Sequence, residues 1–425
     1  MRLAVPYAAL TDPDQNGLYA VSAVALSLFV FAYSTLFGAP SILAFYGLWL
    51  LPLALAPERL LRRPAPVLLL LLVPAVFTAS TLWSDAAATS LRAGIQYGVT
   101  MLCGLVAARI VTGENLVLGG AMGGGLVLLY SAANPAFSFN YMDGSYAFNG
   151  AFASKNQLGY FATLALLFAS ALLWGYRTDR WVRPLAIGVL ALALAMLWLS
   201  DSATSLLAAM AAGGAILFVR ALLALAPRLR LKAIVAVVMA CAVLAFTSLR
   251  LGAFGATLMA FGRDPSLTGR TYLWTEGMAF GAEQPWLGTG YNAFWVRGRP
   301  EAEHLWEVFH ISGRTGFHFH NVLIEAYVGV GLLGLSVVVG LCLLLFAMPL
   351  ATALRPNNGG TLLVMSALAV LFLVRASAEV DFITPHTAGT FLVAYLLLSL
   401  IDRHAARPAA RPRPAPGGAV GGVAG

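Results

Sequence analysis

Apolar runs follow one another along almost the whole chain, most of them about 17 to 25 residues long, the length at which an α-helix crosses a ~30 Å hydrocarbon core. They fall near residues 18–37, 40–56, 65–82, 91–110, 115–133, 157–175, 184–199, 204–226, 231–250, 322–350, 361–377 and 388–401, with the second, seventh and twelfth among the short ones. Within each run the apolar residues are continuous, without the short alternating segments of a transmembrane β-barrel. The one long interruption, residues 252–321, is mixed and polar and holds His304, His310, His318 and His320. Most connections are far shorter, so this stretch is expected to carry chemistry. The pattern predicts an all-α fold: a polytopic transmembrane helix bundle of about 12 spans with one large loop. Residues 1–251 hold helices 1–9, residues 252–321 the loop, and residues 322–402 helices 10–12. The tail, 403–425, is rich in Ala, Arg and Pro and then in Gly, Ala and Val; it cannot bury a core and is expected to be disordered.

Composition sharpens the class. Of 425 residues, 60% are hydrophobic and 10% charged, against about 25% charged in soluble proteins; mean hydropathy is +0.82. The net charge of +8 reports the sidedness of the loops and implies no nucleic-acid partner. With the N-terminus in the cytoplasm, the inside loops carry Arg59, Arg62 and Arg63; Arg109; Arg177, Arg180 and Arg183; Arg228, Arg230 and Lys232; Arg355; and Arg403, Arg407, Arg411 and Arg413. The short outside loops carry only Arg92, Lys155 and Arg375. Lysine and arginine favour the cytoplasmic side, so both termini are expected inside and the long loop in the periplasm or cell exterior. Cys103, Cys241 and Cys342 all lie inside apolar runs and suggest neither a disulfide framework nor a metal site. The first run has no small-residue cleavage site after it, so no cleavable signal peptide is expected. The glycine-rich fifth span, Gly119 to Gly125, reads as close helix packing.

Charged residues beside a bilayer are costly and mark function, and those on the expected outer face form a series. Trp83-Ser84-Asp85 and Arg92 come first, then Phe148 to Gly159 with Lys155-Asn156, then Ser200-Asp201-Ser202-Ala203-Thr204-Ser205. The long loop adds Thr268-Gly269-Arg270 to Trp274, Gln284-Pro285-Trp286-Leu287-Gly288-Thr289-Gly290, and His318 to Asn321. The order Lys155-Asn156-x-x-Gly159, Ser200-x-Ser202-x-Thr204-Ser205, Gly269-Arg270-x-x-x-Trp274, Pro285-Trp286-Leu287-Gly288-x-Gly290, His320-Asn321 and Gly331-Leu332-Leu333-Gly334 resembles the O-antigen ligase and O-antigen polymerase superfamily, over about residues 80–335. That resemblance implies a membrane glycosyltransferase in the bacterial inner membrane, its active site facing the periplasm, with no cofactor. It implies a glycan donor linked to undecaprenyl diphosphate, amid membrane lipid. The acceptor is a sugar hydroxyl, on a lipid A core for a ligase or on a growing glycan for a polymerase. Many relatives carry an arginine in the serine motif where this chain has Ala203-Thr204, a form that with Lys155-Asn156 is closer to the exopolysaccharide polymerase branch.

Each candidate has a functional and a plainer reading. A neutral imidazole suits removal of a proton from an attacking hydroxyl near neutral pH, which makes His320 the candidate catalytic base; otherwise it is an interfacial histidine that only hydrogen-bonds. It stands where the loop re-enters a helix, whose N-terminus favours a diphosphate. Asn321 can orient an imidazole or a sugar hydroxyl. His318 would point elsewhere if the segment were helical. No His-x-x-x-His or Cys/His spacing supports a metal. Arg270 offers a bidentate fork to phosphate oxygens, or else a loop salt bridge with Asp264 or Glu276. Lys155 either binds the same anion, with Asn156 beside it, or snorkels. Arg92 and Arg375 either bind an anionic group or pair with Asp85, Glu379 or Asp381. The competing class is a transporter or flippase of a lipid-linked or anionic substrate, but such proteins place charges at mid-membrane and repeat their halves. Here the charges gather at one face and the halves are unlike.

Overall fold

The computed structural model describes residues 6–140, 145–176, 180–251, 269–355 and 359–405. The start of the long loop with Asp264, residue Arg177, and the tail beyond 405 with its arginines lie outside the described residues.

The chain is an all-α polytopic membrane protein. Its long helices are α1 (Gly17–Phe37), α2 (Ala39–Leu55), α3 (Pro64–Ala79), α4 (Ala87–Ile110), α5 (Gly113–Ala133), α6 (Lys155–Gly175), α7 (Val182–Leu199), α8 (Ala203–Ala224) and α9 (Pro227–Arg250). The loop contributes α10 (Arg270–Glu283) and α11 (Pro300–Val308), and the chain returns through α12 (Val322–Ala353), α13 (Gly360–Ala376) and α14 (Ala388–Ala405). Each apolar run of the sequence thus corresponds to one helix. Among the described residues nine helices are long and apolar enough to cross a membrane; α2 and α13 are shorter apolar helices. A departure from the expected pattern is a small hairpin, β1 (Phe137–Asn140) with β2 (Ser145–Phe148), paired antiparallel from Phe137↔Phe148 to Asn140↔Ser145. Phe137 packs on Phe148 and Phe139 on Tyr146 across it, the cross-strand aromatic pairing that stabilises such ribbons.

Hydrocarbon offers no partner to an open backbone group, so helix ends must be closed by the protein. At one end of the bundle three polar side chains do this: Ser154 caps α6 through the Gln157 N–H, Ser202 caps α8 through Ser205 N–H, and Asn321 caps α12 through the N–H groups of Leu323 and Ile324. At the opposite end Arg63 and Arg109 meet Asp402, and Arg230 donates to the carbonyls of Ala353 and Arg355. Helix α5 packs at the centre of the N-terminal half. A Cβ at Gly119 or Gly123 would press into the α1 backbone at Val21 and Ala25, and one at Gly124 into Ala165 of α6. Small residues therefore set these helix separations, as in other membrane interfaces.

Residues 269–321 build a second, smaller core on that same end, with Leu273, Phe294, Leu305, Trp306 and Phe319 buried against Ile324 and Val328 of α12. The loop is locked to the bundle by a break in α12. Gly331 takes φ +64° inside the helix, and the freed backbone groups are taken up by the loop. Thr289 N–H donates to Val328 O (3.0 Å), Gly290 N–H to Gly329 O (2.8 Å), and Leu332 N–H to Pro285 O (2.7 Å). Trp83 Nε1 donates to Leu287 O, Ser90 Oγ to Tyr291 O, and Arg299 pairs with Asp85 at 3.0 Å. The Trp83-Ser84-Asp85 and Pro285 to Gly290 motifs thus dock the loop.

Candidate active site

Three polar segments from distant parts of the chain converge on one carboxylate, Glu379, in the turn between α13 and α14. Its side chain is 8% exposed. Arg270 Nη2 donates to Glu379 Oε1 at 2.9 Å and Asn156 Nδ2 donates to the same oxygen at 3.1 Å. The other oxygen, Oε2, faces His320 Nδ1 at 3.3 Å and His318 Nε2 at 3.8 Å. Ser202 Oγ donates to Asn156 Oδ1 (3.0 Å) and lies 2.9 Å from Ser205 Oγ, and Arg270 Nη1 reaches Thr204 Oγ1 at 3.4 Å. The serine motif that opens α8 is therefore tied into the cluster. Lys155, beside Asn156, pairs with Asp201 at 3.8 Å.

The segment that carries the histidines is irregular rather than helical, and residues two apart reach the same carboxylate. Their rings lie 4.2 Å apart. The segment is fixed from behind. Glu325, one turn into α12, accepts the Phe319 N–H (2.9 Å) and the Trp295 Nε1–H (3.1 Å). Trp274 Nε1 donates to Phe319 O at 2.9 Å, and Phe319 is fully buried. His320 itself sits at φ +51°, a left-handed backbone that costs on the order of 1–3 kcal/mol and persists only where the surroundings impose it.

Charge balance in the cluster follows from burial and neighbours. Burial pushes the Glu379 carboxyl up, but His320, Arg270 and Arg375 together hold it well below the usual carboxylate range. It is an anion at neutral pH. Burial, with His320 adjacent, pushes His318 down to about 3, so His318 is neutral. Its Nδ1 accepts the His320 backbone N–H at 3.1 Å. Beneath Glu379, Arg375 is buried, pairs with Asp381 and lies over the Tyr160 ring at 4.2 Å.

The structure thus brings together Arg270, Asn156, His318 and His320, with Lys155 at the margin. Asn321 instead caps α12 through its side-chain oxygen. Arg92 is exposed on α4, and its charge acts on His386, which burial and Arg92 push down; it is not among the side chains that meet Glu379. Arg270 pairs with Glu379 and not with Glu276, while Asp264 lies outside the described residues. Sequence reasoning placed Glu379 on this face but only as a partner for Arg375. Its role as the hub has no local signature, because its partners are 59 to 223 positions away. His318, His320 and Glu379 also place one ligand atom each within 4.8 Å of one another, a trio that motif spacing cannot show.

The family model described as O-Antigen ligase matches residues 188–339, from α7 into α12, and so takes in Arg270, His318 and His320. The exopolysaccharide production protein ExoQ of Rhizobium meliloti (strain 1021) is 40% identical to the chain over 394 residues, 92% of this chain and 90% of that protein. The chain belongs to the O-antigen ligase family and is, in class, a membrane glycan ligase or polymerase.

Proposed function

We propose that the protein is a glycosyltransferase that moves a glycan en bloc from undecaprenyl diphosphate to an acceptor sugar hydroxyl at the periplasmic face of the inner membrane. The observation that carries this reading is the meeting of His320, an imidazole, with Arg270, a guanidinium, on one buried carboxylate at the end of a membrane bundle. His320 takes the proton of the acceptor hydroxyl. The hydroxyl oxygen bonds to the anomeric carbon as the bond from that carbon to phosphate oxygen breaks, and the electron pair leaves on the lipid diphosphate. Arg270 and Lys155 bind the developing charge, Arg270 by its planar fork. Diphosphate is already a good leaving group, so no protonating acid is needed. The 40% identity to an exopolysaccharide production protein favours a growing glycan over a lipid A core as acceptor.

The reaction is proposed to need no metal. Glu379 already accepts hydrogen bonds from Arg270 and Asn156, and a divalent cation among His318, His320 and Glu379 would face the Arg270 and Arg375 charges. The test uses detergent-solubilised protein and lipid-linked oligosaccharide extracted from the membranes of a host in which the gene is deleted. Covalent transfer without a sealed membrane is expected, unchanged in EDTA, and lost on His320→Ala by about 10²–10⁴-fold. Movement of the lipid in vesicles without any covalent product would instead make the protein a flippase. Reversible loss on chelation would make the trio a metal site. Deletion is expected to abolish secreted polysaccharide and spare long-chain lipopolysaccharide.

A further inference from the structure

The carboxylate at the centre of the site is the feature that the transfer reaction does not by itself call for: it is an anion placed where an anionic diphosphate is to bind. Its two oxygens are used differently. Oε1 is filled by Arg270 and Asn156, both of which can only donate to it with the groups they present. Oε2 is left for the histidines, and His320 presents Nδ1 to it at 3.3 Å. A carboxylate only accepts, so Nδ1 of His320 must carry the proton. The lone pair then sits on Nε2, at the other side of a ring that is 23% exposed. His318 is set the opposite way: its Nδ1 accepts a backbone N–H, so its proton is on Nε2. Two histidines two residues apart are therefore held in opposite tautomers by one carboxylate and one amide, and only His320 presents a free lone pair on the side away from Glu379.

We propose that Glu379 is a positioning residue for the glycan transfer: by accepting the Nδ1 proton of His320 it fixes the tautomer that leaves Nε2 as the base, and it stabilises the imidazolium formed when the acceptor proton arrives. This rests on His320 being the base. The proton moves from the acceptor oxygen to Nε2, the pair stays charge-balanced as imidazolium beside carboxylate, and the proton leaves to water through the exposed edge. The division of labour is the one that a buried aspartate performs for the histidine of a serine hydrolase triad. The other titratable and charged groups facing the pair are Arg270 at the start of α10, the neutral His318 in the same turn, Arg375 from α13 with its partner Asp381, the neutral buried Tyr160 phenol from α6, and the Lys155–Asp201 pair at its margin.

Glu379→Gln is a sharp probe, because the amide has one acceptor oxygen. Arg270 and Asn156 both donate on the Oε1 side and hold that oxygen there, which turns the amide NH2 toward His320 Nδ1. A donor in that place requires a lone pair on Nδ1 and moves the ring proton to Nε2. The measurement is 15N NMR of histidine-labelled full-length protein, with His320 assigned by its loss in His320→Asn. Wild type is expected to show neutral His320 protonated at Nδ1, and Glu379→Gln to show it at Nε2; wild-type His320 protonated at Nε2 overturns the proposal, whether or not the variant folds. Turnover of the lipid-linked oligosaccharide supplies the second readout. Glu379→Gln is expected to fall ~10²-fold or more, and Glu379→Asp should recover part of the rate. A Glu379→Gln variant that loses rate with the His320 tautomer unmoved makes Glu379 merely structural. Absence of transfer by wild type would sink the proposed function while leaving the tautomer result to stand or fall separately.

Discussion

At the level of single residues, Arg270, Asn156, His318 and His320 meet at one carboxylate while Arg92 and Asn321 do not join them, and the reason they meet is not local. His320 and Arg270 stand out because imidazole and guanidinium are expensive beside a bilayer. Glu379 is as costly, yet it lies near Arg375 and Asp381 and reads as half of a short-range ion pair; the structure gives Asp381 to Arg375 and leaves Glu379 to groups from three other segments. Asn321 shows the converse, a candidate ligand whose oxygen is spent on capping a helix. Arg270 offers a direct test of what the fork contributes. It holds Glu379 with Nη2 and reaches Thr204 with Nη1, and a lysine at 270 has one nitrogen for both. Arg270→Ala is expected to weaken donor use by about 10- to 100-fold, the equivalent of one lost hydrogen bond to a charged group, and Arg270→Lys to restore little. Donor-concentration curves on the purified variants decide it; wild-type curves for both would make Arg270 a structural partner of Glu379 alone.

Helix positions were legible at the level of elements because a bilayer demands a long apolar run for each crossing, and every run became a helix. Two elements were not. The Phe137–Phe148 hairpin is too short and too near a span to stand out in hydropathy. The break in α12 falls inside a continuous apolar run, where Gly331-Leu332-Leu333-Gly334 gives no hint that a loop forty residues earlier enters the gap. Only the paired backbone bonds from Pro285, Thr289 and Gly290 explain how a helix can be interrupted at membrane depth without orphaned groups. Gly331→Ala is expected to be severe, since its φ of +64° disfavours any side chain and its Cβ would press into the backbone of Trp286 and Leu287. Gly340→Ala, nine positions on in the same helix with nothing within 4 Å of the added carbon, is the control and should be neutral or slightly stabilising. Melting curves in detergent should separate the two; equal melting would mean that the loop is not held by this break.

Across the whole molecule, the ion pairs and caps divide the chain into two ends. Arg63, Arg109 and Asp402 meet at one, with Arg230 closing the end of α12 there. The loop, Asp85–Arg299 and the Glu379 cluster lie at the other. This arrangement fixes which residues share a side but not which side faces the cytoplasm. The absolute sense comes from the arginine bias of the loops, and the two sources of information can be tested separately. Glu307 is exposed on α11 and Arg62 is exposed just before α3. In a chain whose Cys103, Cys241 and Cys342 have been changed to alanine, a cysteine at 307 is expected to react with a membrane-impermeant maleimide added to intact cells. A cysteine at 62 should react only after the inner membrane is permeabilised. The reverse pattern would invert the topology and place the Glu379 cluster in the cytoplasm, out of reach of a donor presented in the periplasm. Reaction of both from the same side would contradict the two-ended arrangement itself, because α3 runs from the Arg63 end to the docked-loop end with no room for both sites on one face.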